Sequence, residues 1–465
     1  MLAGVALRVV ASFAWWPVGI TLADAWPYSS HAAHSPFDDP MHPAGYSTFL
    51  RFAGVITREV AVYTVAQHLA AIAAAIVLFL AIRRLCGSPW PALVGAATIL
   101  LGADQIYLEH TIMSEALFVP LLAAAIYAVA RMLDAPDRWW PWPLIAAALL
   151  VMTAVTRTAA LFLLPFVAIA FLLVRPRPWL VRWRPLVAFV GVTTALVLSY
   201  GGANVISHDR FEITTTSGWH LYARVAPFAW CGDFTPPEGT EELCETSTPG
   251  TRPGTDWYLF DPASPSARLF GYVAPGSEAD AKLGEFARAV VLSQPKTFLE
   301  TVWTDVKAYY FPGTYVWSVG RGGDIDRSLD WALPPNTPVE AVTERGMEEF
   351  FDPFSVDRDP GALGFLHDYQ RTFRFGATLL TISTALILLG LLVGPRRNRI
   401  AVLVLGVGGL AMILLPTFSI IYIGRYTVPP ASLIAAGGAI GAMSLIDVAR
   451  RRLGSLRRSR QAVPA

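Results

Sequence analysis

VAVYTVAQHLAAIAAAIVLFLAI, residues 60–82, carries no charged side chain and ends directly at Arg83-Arg84. About 20 apolar residues in a helix cross the roughly 30 Å hydrocarbon layer of a bilayer, where a helix satisfies its own backbone hydrogen bonds. Runs of the same kind lie near 4–23, 89–107, 112–131, 141–156, 158–174, 185–203, 373–394, 400–420 and 427–447. They predict an all-α polytopic membrane protein of about ten transmembrane helices, with one large mixed extracytoplasmic loop region. Composition agrees: of 465 residues 54% are hydrophobic and 15% charged, and the mean hydropathy is +0.46. A soluble chain of this length does not need so much apolar surface. A net charge of +1 supplies no field for nucleic acid as a partner. The three lysines (Lys282, Lys296, Lys307) follow no glycine turn of the phosphate-binding-loop type, which argues against ATP-driven pumping by this chain.

Arginines orient the spans, because cytoplasmic connections collect them. Arg83 and Arg84, Arg131 and Arg138, Arg175 to Arg184, Arg396 to Arg399, and Arg450 to Arg460 fall in alternate connections. Both termini are therefore expected in the cytoplasm, with Trp139, Trp140, Trp142, Trp179 and Trp183 forming an interfacial belt. Outside lie 24–59, the turns at 108–111 and 156–158, the region 204–372 and the turn before Arg425. The chain divides into a transmembrane core (1–203), an extracytoplasmic region (204–372), C-terminal helices (373–449) and a basic tail (450–465). Cys231 and Cys244 fall outside, where an oxidising compartment permits a disulfide; closing a loop of about 14 residues is worth roughly 3 kcal/mol. Cys86 falls on the cytoplasmic side as an inert thiol. Arg8 interrupts the first span and is expected to snorkel to the cytoplasmic headgroups. Ala23-Asp24-Ala25 has the small-x-small form of a signal-peptidase site, against which Trp15, Trp16 and Pro17 make a poor signal core. In the long outer region Phe211–Thr216 (FEITTT) has strand character. Residues 280–292 and 295–310 read as helices, with Ser293 as N-cap of the second. Phe298, Val302, Val306 and Tyr310 form one apolar stripe on it.

The residues with chemistry gather at the outer ends of spans. Asp24 is the first acid after the first span, four residues before Tyr28. A carboxyl at a half-desolvated membrane mouth, its pKa raised by burial, suits a general base; the alternative is a helix end facing water. Asp38 and Asp39, with His42, offer the oxygen and imidazole ligands that suit a divalent ion such as Mn²⁺ or Zn²⁺, against a solvated turn between Pro36 and Pro40. Ser114-Glu115 heads the fourth span, where an acid also complements the helix dipole; Glu109 and His110 stand in the same turn. Arg157 and Arg425-Tyr426 are held close to the bilayer edge, and an arginine fork matches phosphate oxygens. Snorkelling, or pairing with Glu115 or Asp24, is the competing role.

Several of these stretches resemble motifs of the GT-C glycosyltransferases. HPAGYSTFLR (His42–Arg51) is similar to the "hPPGYp-fl" element, with Ala44 where a second proline is common. HTIMSEALFVPLLAAAIY (His110–Tyr127) resembles the "(S/T)E-lf-fl-la-ly" signature. Asp24 with Tyr28 resembles the acid that opens the first outer loop, and Arg425-Tyr426 with Pro429 the "RY-lP" motif. Within that superfamily the likeness is to polyprenyl-phosphate-sugar-dependent enzymes of the protein O-mannosyltransferase and aminoarabinose-transferase type. Arg224–Cys244 and Phe286–Val306 look like outer-domain elements of bacterial, mostly actinobacterial, members. The resemblance implies an integral glycosyltransferase of the bacterial plasma membrane, taking a sugar from a polyprenyl phosphate to a cell-envelope glycan, lipid or protein acceptor. It implies Asp24 as catalytic acid–base, Tyr28, His42, Tyr46 and Glu115 as cavity residues, and Arg157, Arg425 and Tyr426 around the lipid phosphate. A transporter would want ionisable groups near the midplane and repeated halves; a non-catalytic assembly subunit would keep the scaffold without the chemistry.

Overall fold

The uncharged run that opens at Val60 is helical as far as Cys86 and stops at Gly87, whose φ of 76° is the left-handed cap that favours glycine. The computed structural model describes residues 1–20, 24–134, 140–174, 179–209, 211–271, 276–311, 329, 331 and 338–461. Ala23 of the candidate cleavage site, and Arg138, Trp139, Arg175 and Arg177 of the arginine and tryptophan pattern, lie outside them. In chain order the first half is α1 (Leu2–Ala14), α2 (Ala25–Ala33), α3 (Gly45–Ala53), α4 (Val60–Cys86), α5 (Pro89–Leu101), α6 (Ala103–Glu109), α7 (Ser114–Asp134), α8 (Trp142–Thr156), α9 (Leu164–Leu173) and α10 (Trp179–His208). Then come α11 (Ser217–Val225), α12 (Thr255–Phe260), α13 (Pro265–Phe270), α14 (Ser277–Ser293), α15 (Pro295–Tyr310), α16 (Pro338–Met347) and α17 (Pro360–Thr372). The chain closes with α18 (Ala377–Val393), α19 (Arg396–Val402), α20 (Gly408–Leu414) and α21 (Ala431–Gln461).

Among the described residues six helices are long and apolar enough to cross a membrane, seven if α5 and α6, bent by 54°, make one span. The shorter apolar helices Leu2–Ala14, Trp142–Thr156 and Thr158–Leu173 stand where three further spans are expected. The first is cut short. Its helix stops at Ala14, and Trp15-Trp16 (β1) pair antiparallel with Asp357-Arg358 (β2).

α4 packs between α5 and α7, α7 against α8, α8 against α10, and α5 against α21, which also covers α18. Ala71, Ala74, Ala75 and Ala81 of α4 are buried in this core. Lipid tails are as apolar as leucine, so contact between membrane helices relies on close van der Waals approach at small residues. The C-terminal helices carry this furthest. A Cβ on Gly390 of α18 would stand 2.6 Å from the Gly441 Cα of α21, and one on Gly437 would stand 2.5 Å from the Gly406 Cα. These backbones touch directly.

One end of the bundle is basic: the Arg131 guanidinium lies 4.4 Å from the Trp142 ring, and Arg397 donates to the Leu85 carbonyl at 2.8 Å. The opposite end carries 24–59 and the described residues 211–271, 276–311 and 338–372. There α11, α14 and α15 enclose a small core of Trp219, Tyr222, Phe286, Val290, Phe298 and Val302. Cys231 and Cys244 are disulfide-bonded, and Arg224 and Asp305 form an ion pair between α11 and α15 with both side chains buried. Two expectations fail here. Phe211–Thr216 is not a strand; the backbone bends, and Thr215 donates its N–H to Pro40 O at 3.1 Å. A β-branched run makes a strand only with a neighbour to pair with, and this one docks on a loop. Ser293 is the last residue of α14, with Gln294 as N-cap of α15.

Arg8 does not snorkel. It is 3% exposed and donates to Glu109 through Nε and Nη2, each at 2.8 Å, and to the Gly4, Ile99 and Leu100 carbonyls. A guanidinium with five donors buried in a bundle is costly unless each finds an acceptor. Glu109 supplies the countercharge.

Candidate active site

Five segments far apart in sequence converge at the loop end. Asp24 directly precedes α2; Ser114 and Glu115 open α7; Arg157 follows α8; Arg425 and Tyr426 lie in the 3-10 turn Gly424–Thr427 ahead of α21; Tyr46 is on α3. Arg425 donates to the Asp24 carboxylate through Nη2, and its Nε lies 3.7 Å from Glu115 Oε1. Arg157 holds the same Glu115 oxygen at 2.5 Å, donates to Ser114 Oγ at 3.3 Å, and stacks over the Tyr426 ring at 4.9 Å. Tyr28 donates to Ser114 Oγ at 3.0 Å, and Ser114 to Glu115 Oε2 at 3.3 Å. Two carboxylates and two guanidiniums thus alternate across the site. The Glu115 side chain is fully buried, whereas Asp24 keeps 27% of its side-chain surface.

The wall beside Asp24 is aromatic. The Tyr28 ring lies 4.8 Å from His42 and 5.0 Å, edge-on, from Tyr46. Gly45 is required by packing: a Cβ there would meet the Val155 carbonyl oxygen at 2.4 Å. This contact seats α3 against the C-terminal end of α8, directly before Arg157. Tyr46 donates to Gln67 Oε1 at 2.8 Å, and the Gln67 amide nitrogen donates to the Glu109 and Thr111 carbonyls, each at 2.9 Å. Gln67 was not among the expected site residues. The signal for it was present: a lone buried amide inside an apolar span.

Asp24 departs from the expected raised pKa. Burial alone would push its carboxyl up, but Arg425, His42 and Arg157 outweigh burial and hold it down at about 2. His42 Nδ1 donates to Asp39 Oδ2 at 2.9 Å, while the other Asp39 oxygen accepts the Met41 and His42 N–H groups at 2.9 and 3.0 Å. Burial works against both charges, yet their mutual attraction prevails, raising the His42 pKa and lowering that of Asp39. Asp38 is exposed. Among the described residues no group of three or more His, Cys, Asp or Glu forms a candidate metal centre.

Glu109 and His110 do not join Glu115. Glu109 takes Arg8, His68 at 3.1 Å and Gln105 at 3.0 Å. His68 Nε2 and His110 Nδ1 meet at 3.0 Å, and His110 Nε2 bonds the Trp15 carbonyl. This chain of polar groups is bonded within itself and to backbone, and it braces α1, α4 and α6.

Residues 34–200, about a third of the chain, match the family described as dolichyl-phosphate-mannose-protein mannosyltransferase. No curated protein matches the chain. Two solved structures from Archaeoglobus fulgidus are similar in shape. One is an oligosaccharyltransferase in the apo form, at 14% identity and a TM-score of 0.43, covering 98% of this chain. The other is the oligosaccharyltransferase AglB with an inhibitory peptide and a dolichol-phosphate, at 13% identity and a TM-score of 0.42, covering 100% of this chain. The chain spans about half the length of either, 52% in both cases. The family match takes in His42, Tyr46, Ser114, Glu115 and Arg157 and leaves Asp24 and Arg425 outside it.

Proposed function

We propose that this protein transfers a hexose or pentose from a polyprenyl-phosphate carrier to a hydroxyl group of an envelope glycan, lipid or protein. The reaction takes place at the face bearing loop 24–59, the outer face of a bacterial plasma membrane, with both termini in the cytoplasm. The observation that carries this reading is the Asp24–Arg425–Glu115–Arg157 cluster beside the Tyr28–Tyr46 wall. Displacement at an anomeric carbon bound to a phosphate needs a proton acceptor for the nucleophile and a cation for the leaving oxygen. Asp24 takes the proton of the acceptor hydroxyl as its oxygen bonds to the anomeric carbon. The carbon–oxygen bond to the phosphate breaks, and its electron pair leaves with the polyprenyl phosphate, whose added charge Arg425 stabilises. Glu115, paired with Arg157 and 3.7 Å from Arg425 Nε, adds countercharge beside Arg425. The description of the matched family, a dolichyl-phosphate-linked mannose donor and a protein acceptor, supports this donor chemistry.

The test is donor consumption in proteoliposomes supplied with a panel of short-chain polyprenyl-phosphate hexoses and pentoses plus a membrane-extract acceptor fraction. Asp24→Asn should abolish release of polyprenyl phosphate. Arg425→Ala should weaken both binding and turnover, by roughly 2–5 kcal/mol for a desolvated charge pair. Full activity in Asp24→Asn would remove Asp24 from the mechanism.

A further inference from the structure

In the free protein the proposed base is tied to the proposed phosphate partner. Arg425 donates to Asp24, and since Glu115 already has Arg157 at 2.5 Å, the charge of Arg425 is matched mainly to Asp24. Such a carboxylate is a weak proton acceptor: it is held at about 2 because Arg425, His42 and Arg157 overcome the effect of burial, and basicity falls with pKa. Arg425 also lines a cavity of about 50 Å³, with Arg374, Asp104, Tyr309, Tyr422 and Phe375 on its other sides. A buried water needs roughly 10–15 Å³ of such space, so the cavity has room for a group the size of a phosphate. Arg374 is engaged there by Asp104 through Nε at 2.9 and 3.1 Å. An anion entering this cavity therefore meets the same guanidinium that holds Asp24.

We propose that the donor's phosphate arms the base: by sharing or taking Arg425, it releases Asp24 to accept a proton only once a donor is seated. The proposal rests on the assignment of Asp24 and Arg425 made above. Physically, two anions on one guanidinium in a poorly solvated site disfavour each other's charge. With Arg425 shared, the largest opposition to burial at Asp24 weakens and its affinity for a proton rises. The groups facing Asp24 are Arg425 from the turn before α21, His42 from the loop before α3, Arg157 from the end of α8 and Tyr28 from α2. Of these only Arg425 also borders the cavity. The arrangement makes the order of events donor first. An acceptor arriving alone finds Asp24 occupied, which guards against unproductive proton loss from the acceptor.

Farnesyl phosphate, a short-chain phosphate lipid without a sugar, is the probe, with the full-length protein in nanodiscs. If Asp24 competes for Arg425, then Asp24→Asn, nearly isosteric and uncharged, binds farnesyl phosphate at least tenfold more tightly than the wild type. Arg425→Ala binds it at least tenfold more weakly. In wild-type protein at pH 6, farnesyl phosphate should bring up the infrared carbonyl band of a protonated carboxyl, absent in Asp24→Asn. The band in the wild type does not depend on how well the variants fold. Equal or weaker binding in Asp24→Asn, or no such band in the wild type, overturns the arming mechanism. Loss of turnover in Asp24→Asn would then still leave Asp24 as the base, so the two ideas fail separately.

Discussion

Replacing Gly45 by alanine tests how the first loop is seated. The added Cβ would stand 2.4 Å from the Val155 carbonyl oxygen, 2.7 Å from its carbon and 2.9 Å from the Thr156 nitrogen. All three are backbone atoms, so no rotamer change relieves the clash. Reaching an ordinary carbon–oxygen distance requires α3 and the end of α8 to part by about 1 Å. Overpacking of this kind costs roughly 1–3 kcal/mol. The larger effect should be on catalysis: Tyr46 follows Gly45, and Arg157 follows the residues it touches, so both walls of the site move. A misplacement of about 1 Å costs on the order of 100-fold in rate. Gly202→Ala, at a helical position where a Cβ meets nothing within 4 Å, is the control, and alanine favours the helix there. Apparent melting temperature at fixed scan rate and donor turnover are measured for both. Gly45→Ala should melt a few degrees lower and lose most of its turnover, while Gly202→Ala matches the wild type. Indistinguishable behaviour of the two variants would refute the close-packing explanation.

Three further outcomes are expected. Arg8→Leu leaves Glu109, 0% exposed, without its guanidinium, and should destabilise the protein by roughly 3–5 kcal/mol; a melting curve unchanged from wild type would return Arg8 to the lipid headgroups. Cys231→Ser should make the 204–311 region more susceptible to limited proteolysis, by an opening free energy lower by roughly 3 kcal/mol; equal cleavage rates of wild type and variant would show the disulfide to be dispensable. A reporter fused after Arg460 should read as cytoplasmic and one inserted near Gly250 as external; both on one side would overturn the proposed orientation.

Much of the helical framework was legible because spanning helices are written locally, as runs of apolar residues closed by arginines. The site was legible as parts. Asp24, Glu115, Arg157 and Arg425 each stand at the end of an apolar run, where a charge is conspicuous. Their pairing was not, since Asp24 and Arg425 are 401 residues apart and no periodicity relates them. The same gap hid the partner of Arg8, which looked like a snorkelling residue until Glu109 came beside it. The sign of the Asp24 shift was missed for a related reason: burial was readable from its place at a membrane mouth, the guanidinium that outweighs burial was not. The β-branched threonines at 214–216 misled because strand propensity reports only on the residue, and pairing needs a second strand.

The glycine contacts between α18, α21 and the stretch around Gly406 change what counts as a mild substitution. In most of a membrane protein, added methyl groups are harmless and polar atoms are the hazard. On this seam the hazard is bulk, whatever its polarity: at Gly441 a Cβ would already be 2.0 Å from the Leu386 carbonyl oxygen. Arg425 is carried on the turn that leads into α21, so the height of the guanidinium above the bundle is set by contacts between atoms that have no chemistry of their own. Variation that leaves every charged residue in place, and leaves the hydropathy profile flat, could still silence the protein by lifting that one helix.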